Sequence, residues 1–306
     1  MSASADPQRL VGRLEWERAR EAHEQRARDL LGPVVARRRR GERHPVEDFL
    51  FDYYSLRPGQ LVAWHPGVHR VLDDAEREFG SLRFHRATDG RVEVDAAGVL
   101  TRRADTADWV ERLLRAVRGR PASFGCFGMH EWAMVYGLTP DRTRHPGLPL
   151  RAQPEQVRRT VDEVGLRCTH FDAFRFFTPD SAPRNMVALT RDGQPEHDQG
   201  GCLHANMDLY KWAGKLLPLT PPELLLDTYE LARDIRVLDM RASPYDLRGL
   251  GFEPVRVETA SGRAEYVAQQ RAFAARAEPL RDRLLDVVDA SRAVAAAQAG
   301  RMSAVT

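Results

Sequence analysis

Apolar positions recur through most of this chain at the three- and four-residue spacing of helices buried along one side. Residues 8–40 carry Leu10, Leu14, Ala19, Ala22 and Leu30 among many Arg and Glu. That pattern predicts one amphipathic helix, kinked or split at Gly32-Pro33. Residues 45–64 turn aromatic, with Phe49, Phe51, Tyr53, Tyr54 and Trp64, and read as short helices packed in the core. Further helices are expected at about 106–118, 127–136, 154–164, 202–217 and 221–240. Pro218, Pro221 and Pro222 separate the last two, because proline cannot continue a helix interior. A final long helix, about 263–298, turns Ala-rich towards its end.

The period changes to two in only a few places. Arg83-Phe84-His85 and Val92-Glu93-Val94 flank Asp89-Gly90, which predicts a small hairpin between Leu82 and Thr101. A second such patch is Val255-Arg256-Val257-Glu258-Thr259, before Ser261-Gly262. The expected fold class is mainly α, an α-rich α+β chain with a multi-helix globular core and one or two small β-hairpins. With no internal repeat and no long linker, residues 1–300 read as a single helical domain and 301–306 as a flexible tail.

At 306 residues and 42% hydrophobic content the chain can bury a large core. No stretch approaches the roughly 18 consecutive apolar residues of a spanning helix. The opening residues lack the apolar run of a signal peptide, so no membrane partner is expected and the localisation reads as cytoplasmic. Three cysteines, an odd and sparse count, argue against a disulfide framework and leave free thiols or metal ligands. A net charge of +2 makes no global case for phosphate neutralisation. The run Arg37–Arg40 suits solvent and a helix carboxyl end better than phosphate. Of 46 basic side chains only Lys211 and Lys215 are lysines; the arginines read as the coding bias of a GC-rich genome, whereas the two lysines mark a place that wants an amine.

Three segments carry the candidate chemistry. In GCLHANMDLYKWAGK, residues 201–215, helical counting puts His204, Asp208, Lys211 and Lys215 on one stripe, with Leu203, Met207 and Tyr210 on the buried flank. The stripe reads as a site or as an exposed face of ion pairs. In Cys168–Phe177 an extended run would put Cys168, His170, Asp172 and Phe174 on one face. In Ser123–Trp132, Gly125 and Gly128 allow close backbone approach ahead of His130 and Glu131 at a helix start. The site is expected where these three His-bearing segments converge. Each cysteine lies two or four residues before a histidine, which invites a zinc or iron reading with His130, Glu131, His170 and His204 as ligands, joined by Asp172 and Asp208. No C-x-x-C or H-E-x-x-H spacing is present, and a histidine held by a carboxylate without metal is the alternative. Arg241, in MRASPYDL, reads as an anion clamp or as a cap for its own helix.

The strings FGCFGMHEWAMVYG, CTHFDAFRFFTP, GCLHANMDLYKWAGKL and LDMRASPYDL, with HPVEDFLFDYYSLRPGQLVAWHPG at residues 44–67, resemble a bacterial family commonly labelled 3-methyladenine DNA glycosylase, over most of the chain. The resemblance implies an N-glycosidic hydrolase that removes alkylated purines, with damaged DNA as its partner. Such chemistry needs a carboxylate, an aromatic pocket for the extruded base and local basic contacts. Asp208 or Asp172 would supply the carboxylate, with His204, His170 and Lys211 as catalytic partners. Phe174, Tyr210 and Trp212 would offer stacking faces, and Cys126 and Arg241 further substrate contacts. A Schiff-base route could use only Lys211 or Lys215. The alternative is a zinc- or iron-dependent enzyme acting on a small molecule; a third reading is a non-catalytic ligand-binding protein. Oligomeric state is left open.

Overall fold

The computed structural model describes residues 8–143, 145 and 147–303. A short strand, β1 (Arg9–Val11), leads through Gly12 into α1 (Arg13–Arg39). This helix runs unbroken through Pro33. Proline removes one backbone donor there, yet Leu31 and Val34 on either side are buried and keep the turn anchored, so the expected break does not occur. The arginines at its end pair locally, Arg37 with Glu47 at 2.6 Å and Arg40 with Glu42 at 2.7 Å.

The aromatic stretch forms α2 (Phe49–Tyr53) and α3 (Pro58–Val62). Next come β2 (Arg70–Leu72), α4 (Glu76–Phe79), β3 (His85–Thr88) and β4 (Arg91–Val94). The β3–β4 hairpin is the one expected, and its turn has positive φ at both Asp89 and Gly90, the conformation that matches the twist of a two-residue connection. The sheet order is β1-β2-β4-β3, with β1 parallel to β2 and the other pairs antiparallel. The sheet covers a small apolar cluster of Val11, Trp16, Trp64, Leu72, Phe79 and Val92. The second β patch does not form. Val255 and Val257 are fully buried, but among the described residues no strand lies beside them, and Val255 N–H bonds across to the Arg241 carbonyl without a ladder forming.

The main core is helical. It is built from α5 (Ala96–Arg118), α6 (Met129–Ala133), α7 (Pro154–Val164), α8 (Phe171–Phe174), α9 (Gln194–His197), α10 (Leu203–Lys215), α11 (Pro222–Ala242) and α12 (Ala260–Ser303). α5 starts ten residues earlier than its periodicity shows. Asp95 caps it through Gly98 N–H, and the non-helical Arg103 resets the phase, so that only the later half reads cleanly. α10 and α11 pack on each other and on α12, which also lies along α5. The extended reading of 168–177 is also corrected: His170 is the last extended residue and α8 starts at Phe171. No helix among the described residues is long and apolar enough to cross a membrane.

Candidate functional site

Gly128 takes a left-handed conformation, φ 71°, and a side chain there would press on the Tyr266 ring and Ala242. The chain therefore turns sharply into α6 and presents His130 and Glu131 to α11. His130 Nε2 donates to Asp239 Oδ1 at 2.7 Å. Arg236, one helical turn before Asp239, donates from Nη1 to Glu131 Oε1 at 3.2 Å and to Asp239 Oδ2 at 3.1 Å. Its guanidinium lies 4.0 Å over the Phe49 ring. These charges are shielded from solvent, Arg236 being 3% exposed and Asp239 0%.

On the other side, His170 Nδ1 donates to Asp198 Oδ1 at 3.0 Å. Asp198 is itself held by Gln194 Nε2 at 2.7 Å, while Arg120 holds its backbone carbonyl. That fixes the ring with Nε2 towards Asp208 Oδ2, 3.7 Å away. Asp208 accepts from Tyr54 Oη at 2.9 Å and from Lys211 Nζ at 3.0 Å. The same ammonium donates to Asp172 Oδ2 at 2.9 Å, and Arg175 and Arg191 flank the second oxygen of Asp172.

His204 lies between the two halves. Its ring is edge-on to His130, centroids 4.4 Å apart, and stacked on His170 at 5.5 Å. The three imidazoles feel opposite fields. Burial works against the charged form of His170, but the Asp198 carboxylate more than offsets it and raises its pKa; Asp239 does the same for His130, more strongly. His204 has burial and the adjacent His130 acting against its charge, with no carboxylate bonded to it, and its pKa falls well below the usual range. Burial raises the Asp172 carboxyl, yet the Lys211 ammonium prevails and its pKa is lowered. Lys211 is raised against its own burial by Asp208 and Asp172.

His170, His204, Asp172 and Asp208 line a cavity of about 130 Å³, with Phe49, Tyr53, Tyr54, Phe176, Glu131 and Arg236 among its walls. A wider recess of about 530 Å³ adjoins it and shares Phe49 and His145. The three His-bearing segments thus meet. Of the residues expected from sequence, His170, Asp172, His204 and Asp208 face this cavity, with Glu131 beside them, and Lys211 reaches their carboxylates. Others lie elsewhere. Tyr210 is fully buried between Tyr54 and Tyr229, Phe174 packs on Phe177, and Trp212 lies buried beneath the Lys211 ammonium. Arg241 neither caps its helix through Nε nor reaches the cavity; it donates to the Glu253 carbonyl at 2.8 Å. Lys215 is exposed, and Cys126 lines a separate, smaller void with His130. The reading of residues 201–215 as an exposed ion-paired face fails, since Asp208 is 1% exposed.

Asp198, Arg236, Asp239 and Tyr54 were not singled out as site residues by the sequence pattern. The available signals were weak ones: an Arg and an Asp three apart on α11, and a Tyr-Tyr pair inside an aromatic run that reads equally well as core.

Among the described residues, two groups each have their ligating atoms within 4.8 Å of one another: His130, His204 and Asp239 in one, and His170, Asp172 and Asp208 in the other. The second already holds a cation, because Lys211 Nζ occupies the position between its two carboxylates. In the first, Asp239 is shared between His130 and Arg236. Compared with known proteins, the chain matches no family model, no curated protein and no solved structure.

Proposed function

We propose that the cavity is an acid–base hydrolytic site for the N-glycosidic bond of a purine nucleoside unit, the alkylated base in DNA being the substrate implied by the resemblance. The observation that carries this reading is the pair His170 and His204: two stacked imidazoles in one aromatic-walled cavity, displaced in opposite directions, beside the Asp208 carboxylate. Groups pushed apart in this way mark an acid and a base. The aromatic walls hold the planar base. His170 donates its Nε2 proton to the departing base as the bond to the sugar breaks and the electron pair leaves with the base. Asp208 stabilises the positive charge developing on the sugar. Water adds to the anomeric carbon, and His204 takes its proton. The products are the free base and a hydroxyl at the anomeric carbon. Lys211 is not the nucleophile, being held as an ammonium between two carboxylates.

The test is release of free base from alkylated oligonucleotides and, in parallel, from the matching free nucleosides. Asp208→Asn and His170→Gln should each lower the rate by about 10²- to 10⁴-fold, with no product trapped by borohydride. The rate should fall at low pH as His204 takes a proton and at high pH as His170 loses one. If neither substrate class releases base, the reading is wrong.

A second reading, a zinc- or iron-dependent enzyme acting on a small molecule, is favoured by the spacing of His130, His204 and Asp239. It predicts about one metal ion per chain by elemental analysis, lost on His204→Ala.

A further inference from the structure

A separate, much smaller cavity lies behind His130 and His204. Its volume of about 10 Å³ is room for one body the size of a water molecule. All three cysteines of the chain line it, and they arrive from three separate segments: Cys126 before α6, Cys168 before α8 and Cys202 at the start of α10. Two of these segments are in backbone contact. Gln199 Oε1 accepts from both Ser123 N–H and Gly201 N–H, and a side chain at Gly201 would press into the Ser123 carbonyl.

Two further observations point to a ligand in this void. The first is the orientation of His130. With Nε2 committed to Asp239, its Nδ1 faces Cys126 Sγ at 3.9 Å, the arrangement in which a carboxylate orients an imidazole towards a metal. Tetrahedral zinc, with bonds of about 2.3 Å to sulfur and about 2.0 Å to nitrogen, would hold such atoms about 3.5 Å apart. The second is Gln270, which lines the same void and is 1% exposed. Its Nε2 donates to the Gly201 carbonyl, and its Oε1 has no hydrogen-bond partner among the described residues. A buried amide oxygen without a donor is costly, and a cation in the void beside it would offset that cost electrostatically.

We propose that Cys126, Cys168, Cys202 and His130 Nδ1 form a site for one thiophilic metal ion of the zinc class. The ligand set is the three-cysteine, one-histidine set of structural zinc sites. Binding replaces the three thiol protons and any proton on His130 Nδ1 with four bonds to the ion, and those protons pass to solvent. The thiols are open relative to a loaded site. Among the described residues no group containing a cysteine has its ligating atoms within 4.8 Å, and Cys168 Sγ is turned to the His170 carbonyl at 3.5 Å. Loading the site would require these side chains to turn inward, Cys168 giving up its contact with the His170 carbonyl. Each thiol precedes a histidine of the three-imidazole cluster by two or four residues, so the ion would pin the segments carrying His130, His170 and His204. This inference does not depend on the hydrolytic reading.

The test uses the full chain, stripped with chelator, kept reduced and titrated with Cd²⁺ and then Zn²⁺. One equivalent of Cd²⁺ should produce the ultraviolet charge-transfer band of thiolate-bound metal, a large excess of Zn²⁺ should compete with it for the same thiols, and either ion should raise Tm. Cys126→Ser and Cys202→Ala should weaken binding at least tenfold, Asp239→Asn by about 10- to 100-fold, and Asp172→Asn should leave it unchanged. As a check independent of variant folding, Zn²⁺ should protect all three thiols of the unaltered chain from alkylation. Metal bound without the band, or no protection of the thiols, would overturn the proposal and leave three buried thiols packed as small apolar groups.

Discussion

Lys211 carries an ammonium between two carboxylates in a largely buried setting, its side chain only 16% exposed. Removing one partner of such a cluster leaves uncompensated charge out of water, and the two carboxylates would then face each other. Lys211→Met should therefore cost about 3–5 kcal/mol at neutral pH, read by urea unfolding, with the deficit shrinking as acid protonates the pair. An unchanged midpoint would mean that water enters and solvates the carboxylates. This residue also shows how far local text reaches. His204, Asp208 and Lys211 stand out because helical spacing groups them. Their controlling partners do not: Asp198 orients His170 from 28 residues away and Asp239 orients His130 from 109. No window of sequence contains both members of such a pair. Tyr210 and Trp212 were attractive for the opposite reason. They share the helix with the site residues, yet helix rotation carries them into the core.

Between elements, the close approach at Gly201 decides how the first and third His-bearing segments meet. Gly201→Ala must push the backbone off Ser123 and disturb both bonds made by Gln199. A loss of about 1–3 kcal/mol is expected, together with weaker Cd²⁺ binding, because Cys126 and Cys202 move apart. Full stability in the alanine variant would show that the loops can separate freely. Element types were legible where a period ran long enough, as for α7, α10 and α11, and where turn chemistry was explicit, as at Asp89-Gly90. β1 and β2, at three residues each, are too short to show alternation and exist because they pair with each other and β2 pairs in turn with β4. Residues 255–259 show the converse, with the right alternation but no partner strand, and so no sheet.

Over the whole molecule, burial depresses the pKa of His23, His44, His65, His85 and His204, with His65 lowered to about 3. A histidine kept neutral in the fold but free to charge when unfolded, near pH 6.5, contributes stability that is present above that pH and lost as pH falls. His130 and His170 run the other way, contributing stability below their unfolded pKa and losing it as pH rises through the folded one. Stability should therefore decline from about pH 6.5 to 5, with a slope of about 1.4 kcal/mol per pH unit for each proton taken up on unfolding. His65→Leu should reduce that slope by close to one proton in urea titrations at stepped pH; an unaltered slope would show that His65 is not neutral in the fold.

α12 adds a constraint of another kind. Near its start it contributes Tyr266 and Gln270 to the thiol-lined void; near its end Gln298 donates to the Val94 carbonyl and accepts from Ala97 N–H. At about 1.5 Å and about 100° per residue, the 28 positions from Gln270 to Gln298 set a span of about 42 Å and a fixed rotation. Deleting one residue between them would swing Gln298 off its partners or pull Gln270 from the void. Natural variants should accordingly tolerate changes of identity along the exposed side of this helix, and changes of length only outside that interval.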